Sequence, residues 1–295
     1  MTSLKERGGG ARAGAGCPAP RRPLSAAPGP PASARAGQRA AEWPEVAGRD
    51  DGAVTGEEQL ATESRKGELS GRLAAVRERI AAACVAVGRD PGEVTLVAIT
   101  KTFPAPDVRL LYELGVRDVG ENRDQEAAPK AAECADLAPE LTWHFVGQLQ
   151  TNKAASVVRY ARVVHSVDRL RLARALGQQA RRAGRVVTCL IQVSLDADPG
   201  RGGAGPAQVP ELAAAVDAEE GLVLGGVMAI APLDVPPAGA FAQLPAAAAA
   251  VRQIRPEAAM ISAGMSGDME AAIAVGATHV RVGTALLGSR PAFVR

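Results

Sequence analysis

Two short apolar runs late in the sequence each stop at a turn of small residues that carries a hydroxyl group. The first run, Ala259–Ala263, is followed by Ser266, and the second, Thr278–Val282, by Gly283 and Thr284. Turns of this kind present bare backbone N–H groups, which bind anions. In parallel β/α barrels, the loops after the last two strands commonly form a phosphate site. The pattern therefore predicts that Ser266, Gly283 and Thr284 bind a phosphate group.

Lys101 directly follows the apolar run Val94–Thr100, where a barrel enzyme would place a working group. A lysine in this position is partly desolvated, which lowers the pKa of its amine and allows it to form a Schiff base. The alternative is a solvated lysine at the end of a strand. Position alone leaves both interpretations open.

Arg281 and Asn122 could contact the same ligand. By strand alternation, Arg281 shares a face with Gly283, which would place a permanent cation beside the ligand. Asn122 ends the stretch Gly120-Glu121-Asn122 and could hydrogen-bond a ligand or simply cap a helix. We expect Asp268 and Glu270 to stabilise the start of a helix and to point away from a phosphate.

The histidines and cysteines give no sign of a metal site. His144 could line a pocket, but a hydrogen-bonded core histidine is the simpler interpretation, and nothing indicates that His144, His165 and His279 converge on a metal. The four cysteines have no CxxC spacing, so the sequence predicts neither a zinc site nor a disulfide framework. We expect Cys84 and Cys189 to be buried free thiols.

The elements that must position these groups alternate regularly between strand and helix. The strands are short, apolar and rich in Val and Ile, as is typical of strands buried on both faces. Eight of them favour a single (β/α)8 TIM-type barrel over an open sheet. The predicted strands are Val94–Thr100, Val116–Gly120, Leu141–Gly147, Val163–Val167, Val186–Val193, Leu222–Ile230, Ala259–Ala263 and Thr278–Val282. The predicted helices cover residues 105–114, 122–134, 150–160, 168–183, 207–218, 239–254 and 267–275.

The barrel is expected to span residues 68–295, after a long extension. A helix is predicted from about Glu68 to Gly88, because apolar residues recur at spacings of three and four: Leu69, Leu73, Val76, Ile80, Cys84 and Val87. Residues 1–67 are rich in Ala, Gly, Pro and Arg and show no periodicity. Such a segment buries too little apolar surface to offset its ordering entropy, so we expect it to be disordered and dispensable.

Composition excludes several classes of protein. With 34 Lys and Arg against 32 Asp and Glu, the net charge of +2 does not indicate a nucleic-acid-binding protein. No apolar run is long enough to span a membrane, and no signal-peptide core follows Met1. These observations indicate a cytoplasmic protein, which we expect to be a monomer.

Seven motifs occur in an order that resembles the YggS/PROSC family of pyridoxal-phosphate homeostasis proteins, over roughly residues 68–290. Members of this family are single-domain relatives of the alanine racemase barrel. The motifs are Val97-Ala98-Ile99-Thr100-Lys101-Thr102, Gly120-Glu121-Asn122, the stretch from Trp143 to Lys153, His165-Ser166-Val167-Asp168-Arg169, Gly226-Val227-Met228, Gly264-Met265-Ser266-x-Asp268-Met269 and Val280-Arg281-Val282-Gly283-Thr284.

This resemblance implies a cofactor and a role for each candidate residue. Lys101 matches the lysine that holds pyridoxal 5′-phosphate (PLP) as a Schiff base, and Arg281 matches the arginine that faces the pyridine nitrogen. The phosphate-binding positions correspond to Ser266, Gly283 and Thr284. Asn122 belongs to the motif on the other side of the cofactor. The expected partners are PLP and the apo-enzymes that accept it.

The sequence favours a carrier of PLP over an enzyme, although two enzyme classes stay open. An arginine beside the pyridine nitrogen disfavours its protonation and so weakens the cofactor as an electron sink. Racemisation needs an acid/base group on each face of the substrate. Lys101 could serve one face, whereas Tyr112 and Tyr160 lie in predicted helices away from the site. The first alternative is a PLP-dependent amino-acid racemase or lyase. The second is a Schiff-base aldolase-like barrel that acts on a sugar phosphate.

Overall fold

The structure, a computed structural model, is a closed barrel of eight parallel strands in sequence order. It describes residues 56–195, 202–232, 235, 236, 239 and 241–289. Residues 1–55, which make up most of the extension predicted to be disordered, lie outside the described residues. Helices lie between consecutive strands, so the predicted (β/α)8 architecture is confirmed.

All eight predicted strands are present, with bounds within two residues of those expected. They are β1 Thr95–Ile99, β2 Asp118–Glu121, β3 Thr142–Phe145, β4 Val163–Val167, β5 Val187–Val193, β6 Leu222–Ala229, β7 Met260–Ser262 and β8 His279–Val282. Their side chains are largely buried, and every residue of β4 is buried. The barrel closes where β1 pairs with β8, in a register that sets Val97 opposite Arg281.

Nine α-helices are described. Seven of them lie between consecutive strands, as predicted. Of the other two, one precedes β1 and starts earlier than predicted, and one follows β8 and was not predicted. The nine helices are α1 Gly56–Ala86, α2 Ala105–Glu113, α3 Asp124–Glu133, α4 Ala154–Tyr160, α5 Leu170–Ala183, α6 Val209–Asp217, α7 Leu244–Ile254, α8 Met269–Ala274 and α9 Thr284–Leu287. Short 3-10 helices cover Pro91–Glu93, Ala135–Leu137, Thr151–Lys153 and Pro206–Gln208. The single-turn helix α9 was not predicted, because four residues are too few to show a helical period.

Helix α1 starts earlier than predicted. It begins at Gly56, twelve residues before the expected start at Glu68, so the predicted boundary of the barrel falls inside it. The early turns escape periodicity analysis because residues 56–68 contain no buried apolar residue, whereas the five buried positions of α1 all follow: Leu69, Leu73, Val76, Ile80 and Cys84. Val87 was predicted to share this face but is 42% exposed, because the helix ends at Ala86.

Polar contacts tie the early part of α1 to the barrel. Arg65 donates to both carboxylate oxygens of Asp107 in α2, at 3.2 and 2.9 Å, and to the Leu287 carbonyl at 3.1 Å. Its guanidinium also lies over the ring of Phe103, 5.7 Å from the ring centroid. These contacts replace the apolar face that the first turns lack.

The remaining general expectations concern cysteines and membranes. Cys84, Cys134 and Cys189 are free and buried, as predicted for the first and third. Cys17 lies outside the described residues. None of the helices in the described ranges has the length and apolar character required to cross a lipid bilayer.

Candidate functional site

A cavity of about 460 Å³ opens at the carboxyl ends of the barrel strands. Parallel barrels place their ligand sites at this end, and the volume suits a small organic ligand. All six residues singled out in the sequence line this cavity: Lys101, Asn122, Ser266, Arg281, Gly283 and Thr284. The fold thus brings residues from four strand ends around one space.

Lys101 is presented by a constrained turn after β1. Within the described part of the chain, its amine takes part in no ion pair or hydrogen bond. The next residue, Thr102, has a φ of 68°, which is rare for a β-branched residue. The Thr102 N–H donates to Glu126 Oε2 at 3.2 Å and helps to hold the turn. The Lys101 nitrogen is therefore available to a ligand in the cavity.

A buried ion pair joins the strand ends that precede Lys101 and Asn122. Lys130 of α3 contacts Glu121 Oε1 at 2.6 Å and donates to the Thr100 carbonyl at 2.8 Å. The Thr100 hydroxyl donates to the same oxygen of Glu121 at 2.7 Å. The side chains of Lys130 and Glu121 are 7% and 0% exposed, and burial raises the pKa of Glu121 even with the lysine beside it. The pair fixes the end of β1 against β2.

Asn122 lies where the turns after β2 and β3 touch. A methyl group at Gly147 would lie 2.1 Å from the Asn122 carbonyl oxygen, so only glycine allows this approach. Gly147 and Gln148 line the cavity beside Asn122. The contact holds Asn122 at the wall of the cavity, where its side-chain amide can donate or accept.

The loops after β7 and β8 meet at Ser266. The Ser266 hydroxyl accepts a hydrogen bond from the Ala285 N–H at 3.4 Å, and its carbonyl accepts one from Arg79 of α1 at 3.0 Å. Among the residues that the structure describes, no acceptor is bonded to the backbone N–H groups of Ser266, Gly283 or Thr284. Three amides and two hydroxyls can therefore donate to the oxygens of one phosphate group.

The two acids that follow Ser266 point away from the cavity, as expected. Asp268 accepts a hydrogen bond from the Met265 N–H just before α8. Glu270 pairs with Arg79 of α1 at 2.7 Å. Neither carboxylate lines the cavity, so neither opposes an anion there.

Arg281 is buried and its guanidinium is fixed from behind. Nη1 donates to the Ser262 carbonyl at 2.8 Å and to the Ser262 hydroxyl at 2.6 Å. Nη2 donates to the Ala229 carbonyl at 2.8 Å. Burial lowers the pKa of Arg281 to about 10, so the side chain still carries its charge at neutral pH. Bonds to the described residues use three of its five N–H donors, which leaves two for a ligand in the cavity.

The three histidines lie close together inside the barrel, which their positions in the sequence did not predict. The ring centroid of His144 lies 5.0 Å from that of His165 and 6.3 Å from that of His279. His144 and His165 are hydrogen-bonded to each other, and to Asp118 and the Ser262 hydroxyl respectively, whereas His279 bonds to the Thr278 hydroxyl. In the described ranges, no group of three side chains has the arrangement needed to hold a metal ion. His144 is thus the hydrogen-bonded core histidine that we favoured.

The two tyrosines of the sequence lie in helices and do not line the cavity. Tyr112 in α2 donates to Glu140 Oε2 at 2.6 Å. Tyr160 in α4 contacts Asp124 Oδ1 at 3.5 Å, and burial raises the pKa of its phenol far above the ordinary value. Among the described residues that line the cavity, Lys101 is the one side chain that commonly acts as a proton donor or acceptor in catalysis.

Sequence reasoning missed Lys130 and Ser262. Lys130 holds the ends of β1 and β2 together, and Ser262 accepts hydrogen bonds from Arg281. A lysine in a helix and a serine in a strand are too common to be distinguished without the fold. The signal that could have revealed Lys130 is its position on the same side of α3 as Ala127 and Ala131, both of which are buried. A charged residue on an apolar helix face requires a buried partner.

Comparison with known proteins gives consistent matches. Residues 72–291 match the family model described as "Alanine racemase, N-terminal domain". The pyridoxal phosphate homeostasis protein of Mycobacterium tuberculosis is 47% identical over 243 residues, which cover 77% of this chain and 94% of the relative. That of Mycobacterium leprae is 45% identical over 240 residues, covering 76% and 93%. The structure of PipY from Synechococcus elongatus with PLP bound superposes with a TM-score of 0.65 at 37% identity, covering 75% of this chain and 100% of PipY.

Proposed function

Because this chain belongs to the family of pyridoxal phosphate homeostasis proteins and carries an alanine racemase N-terminal domain, we propose that it binds PLP and takes part in PLP homeostasis. The observation that carries the proposal is the cavity itself. It combines the Lys101 amine, which has no bonding partner among the described residues, with a turn rich in N–H donors and a buried arginine that is hydrogen-bonded from behind. These three features suit the aldehyde, the phosphate and the ring nitrogen of PLP.

Each cavity residue has a specific task in this proposal. Lys101 forms a Schiff base with the aldehyde of the cofactor. Ser266, Gly283 and Thr284 bind its phosphate through their amides and the two hydroxyls. Arg281 donates an N–H to the pyridine nitrogen, and Asn122 contacts the opposite side of the ring. The geometry that supports these roles is the convergence of all six residues on one cavity.

The surroundings of Arg281 favour a carrier over a catalyst. PLP supplies an electron sink for amino-acid chemistry when its ring nitrogen is protonated. A guanidinium that keeps its proton and cannot swing away offers that nitrogen a donor, not an acceptor. In addition, no second acid/base group faces Lys101 among the described residues that line the cavity. We therefore propose that the bound cofactor is held and delivered without robust turnover.

The partners and location follow from this role. Apo-enzymes that require PLP are the proposed recipients, and the carrier acts as a monomer in the cytoplasm. The buried free thiols of Cys84, Cys134 and Cys189 suit a reducing compartment.

Replacement of Lys101 by alanine tests the assignment. The visible absorbance band of a PLP Schiff base should appear in the unmutated protein and be absent from Lys101→Ala. Some cofactor should still bind through the phosphate turn. Lys153→Ala is the matched control, because Lys153 is a partly exposed lysine 3.9 Å from Asp124 and does not line the cavity. It should retain the band.

Three results would contradict the proposal. A Schiff-base band that persists in Lys101→Ala would remove the assigned site. Racemisation by the unmutated protein at ordinary enzyme rates, about 1 per second or more, would favour the racemase alternative over the carrier. Failure of the purified protein to bind any PLP would leave the aldolase-like alternative.

A further inference from the structure

A chain of hydrogen bonds crosses the interior of the barrel and ends at Arg281. Asp118 Oδ1 lies 2.9 Å from His144 Nε2, and His144 Nδ1 lies 2.8 Å from His165 Nε2. His165 Nδ1 lies 2.9 Å from the Ser262 hydroxyl, which accepts from Arg281 Nη1 at 2.6 Å. The five side chains come from β2, β3, β4, β7 and β8, so the chain links opposite walls of the barrel.

If each ring carries one proton, the carboxylate at one end and the arginine at the other determine where every proton of this hydrogen-bond chain lies. A carboxylate only accepts, so His144 must carry its proton on Nε2. Nδ1 of a neutral His144 then accepts, which requires the proton of His165 to be on Nε2 as well. Nδ1 of His165 is left to accept from the Ser262 hydroxyl. Burial lowers the pKa of His165 well below its ordinary value, which agrees with a neutral ring.

The consequence falls on the serine. Once the Ser262 hydroxyl donates to His165, only its lone pairs are left to face Arg281. The guanidinium charge is therefore met by an acceptor whose direction is set on the far side of the barrel. All four bonds run the same way, from the cation at Arg281 to the carboxylate at Asp118.

We propose that His165 is a positioning residue for Arg281, and that the chain from Asp118 to Ser262 holds the arginine with its free N–H groups towards the cavity. This inference deepens the proposed function, on which its meaning for PLP rests. The arrangement itself involves only side chains of this protein.

The outer end of the chain reaches a second cavity, of about 480 Å³, at the amino ends of the strands. Asp118 lines this cavity, and its side chain is 25% exposed. The carboxylate is therefore in contact with solvent, whereas the rings of His144 and His165 are buried. A hydrated acceptor at one end and a buried cation at the other give the chain its single direction.

The first test needs no cofactor. NMR of protein labelled with isotopic nitrogen in histidine should give simple spectra, because the sequence contains three histidines. We expect His144 and His165 both to be neutral with the proton on Nε2. A proton on Nδ1 of either ring, or a charged ring at neutral pH, would overturn the proposal.

The second test compares two replacements of His165 with a matched control. His165→Leu removes the acceptor for Ser262, whereas His165→Asn keeps an amide oxygen near the position of Nδ1. His279→Leu is the control, since His279 is a neighbouring ring whose hydrogen bond goes to Thr278 Oγ1 at 2.8 Å. Hydrogen exchange of the Arg281 guanidinium should be slow in the unmutated protein, in His165→Asn and in the control, and fast in His165→Leu.

The third test measures PLP affinity and so relates the hydrogen-bond chain to the cofactor. PLP affinity should fall roughly tenfold in His165→Leu and change little in the other two variants, since one charge-assisted hydrogen bond loses its geometry. Competition by inorganic phosphate should be the same in all, because the phosphate turn is untouched. Equal loss of both ligands in His165→Leu, or equal defects in the Asn and Leu variants, would refute the positioning role. If the unmutated protein bound no PLP, the proposed function would fail, while the exchange of Arg281 would still decide this inference.

Discussion

Replacement of Lys130 by methionine would test the buried ion pair beneath the cavity. Methionine has a similar length and no charge, so Lys130→Met leaves the Glu121 carboxylate buried without its cation. Glu121 would keep one hydrogen bond, from the Thr100 hydroxyl. Its second oxygen, Oε2, already has no partner within the described residues.

The loss of stability is set by the smaller of two alternative costs, that of leaving the Glu121 carboxylate charged and that of protonating it. Removal of one partner from a buried ion pair costs about 3–5 kcal/mol. The carboxylate can instead take up a proton, which at pH 7 costs about 3.7 kcal/mol for a group with an ordinary pKa of about 4.3. At pH 5 the same uptake costs only about 1 kcal/mol. With the lost bond to the Thr100 carbonyl included, we expect Lys130→Met to destabilise the protein by about 4 kcal/mol at pH 7 and by about 2 kcal/mol at pH 5.

Urea unfolding, followed by circular dichroism at both pH values, would measure this difference. Lys66→Met is the matched control, because Lys66 pairs with Glu113 at a similar distance, 2.7 Å, but on the surface. Its unfolding midpoint should barely change at either pH. Addition of Glu121→Gln to Lys130→Met should recover at least half of the lost stability, because the uncompensated charge is gone.

A loss of stability in Lys130→Met that is the same at pH 7 and pH 5 would refute the role given to this ion pair. Equal losses in the Lys66 and Lys130 variants would refute it as well. Either result would mean that water reaches Glu121 and that the pair does not fix the ends of β1 and β2.

Three further predictions concern the phosphate turn, the start of the chain and acid. Ser266→Ala should weaken PLP binding by roughly 1.5–3 kcal/mol and leave the affinity for pyridoxal unchanged in a titration. Equal weakening of both ligands would mean that Ser266 has a structural role and does not bind the phosphate. A chain that begins at Gly56 should melt like the full chain, whereas one that begins at Gly67 loses the contacts of Arg65 and should melt a few degrees lower; identical melting would show that these contacts add nothing. Burial lowers the pKa of His279 to about 4 and that of His165 well below 6.5, so the unfolded chain binds more protons as the pH falls below about 6.5. Stability should therefore drop by about 1 kcal/mol per histidine between pH 7 and 5.5 in urea titrations, and a flat profile would contradict the burial of these rings.

The repeat of strands could be predicted from the sequence because each strand is a short apolar run between breakers. Val163–Val167 was predicted with the bounds that the structure gives. The early turns of α1 could not be predicted, since they are held by a salt bridge to Asp107 and a bond to the Leu287 carbonyl, not by an apolar face. A contact between residues 222 positions apart leaves no local pattern.

The candidate site divides in the same way. Residues at strand ends, such as Lys101 and Thr284, stand out because a chemical group follows an apolar run and a turn. Ser262 and His165 do not stand out, because each occupies an ordinary inward position of a strand. Their relation depends on β4 and β7 facing each other across the barrel, which only closure of the sheet brings about.

The hydrogen bonds between the N-terminal part of the barrel and its last loops have a consequence for folding during translation. Arg65 and Arg79 of α1, and Arg89 just after its end, bond to backbone carbonyls that are synthesised between 184 and 222 positions later. Until then, the nascent barrel exposes the apolar face of α1 and lacks the turn at Gly283. A nascent chain stalled before β8 should therefore hold no PLP, although it already contains Lys101, and the cofactor must be acquired after translation of the barrel.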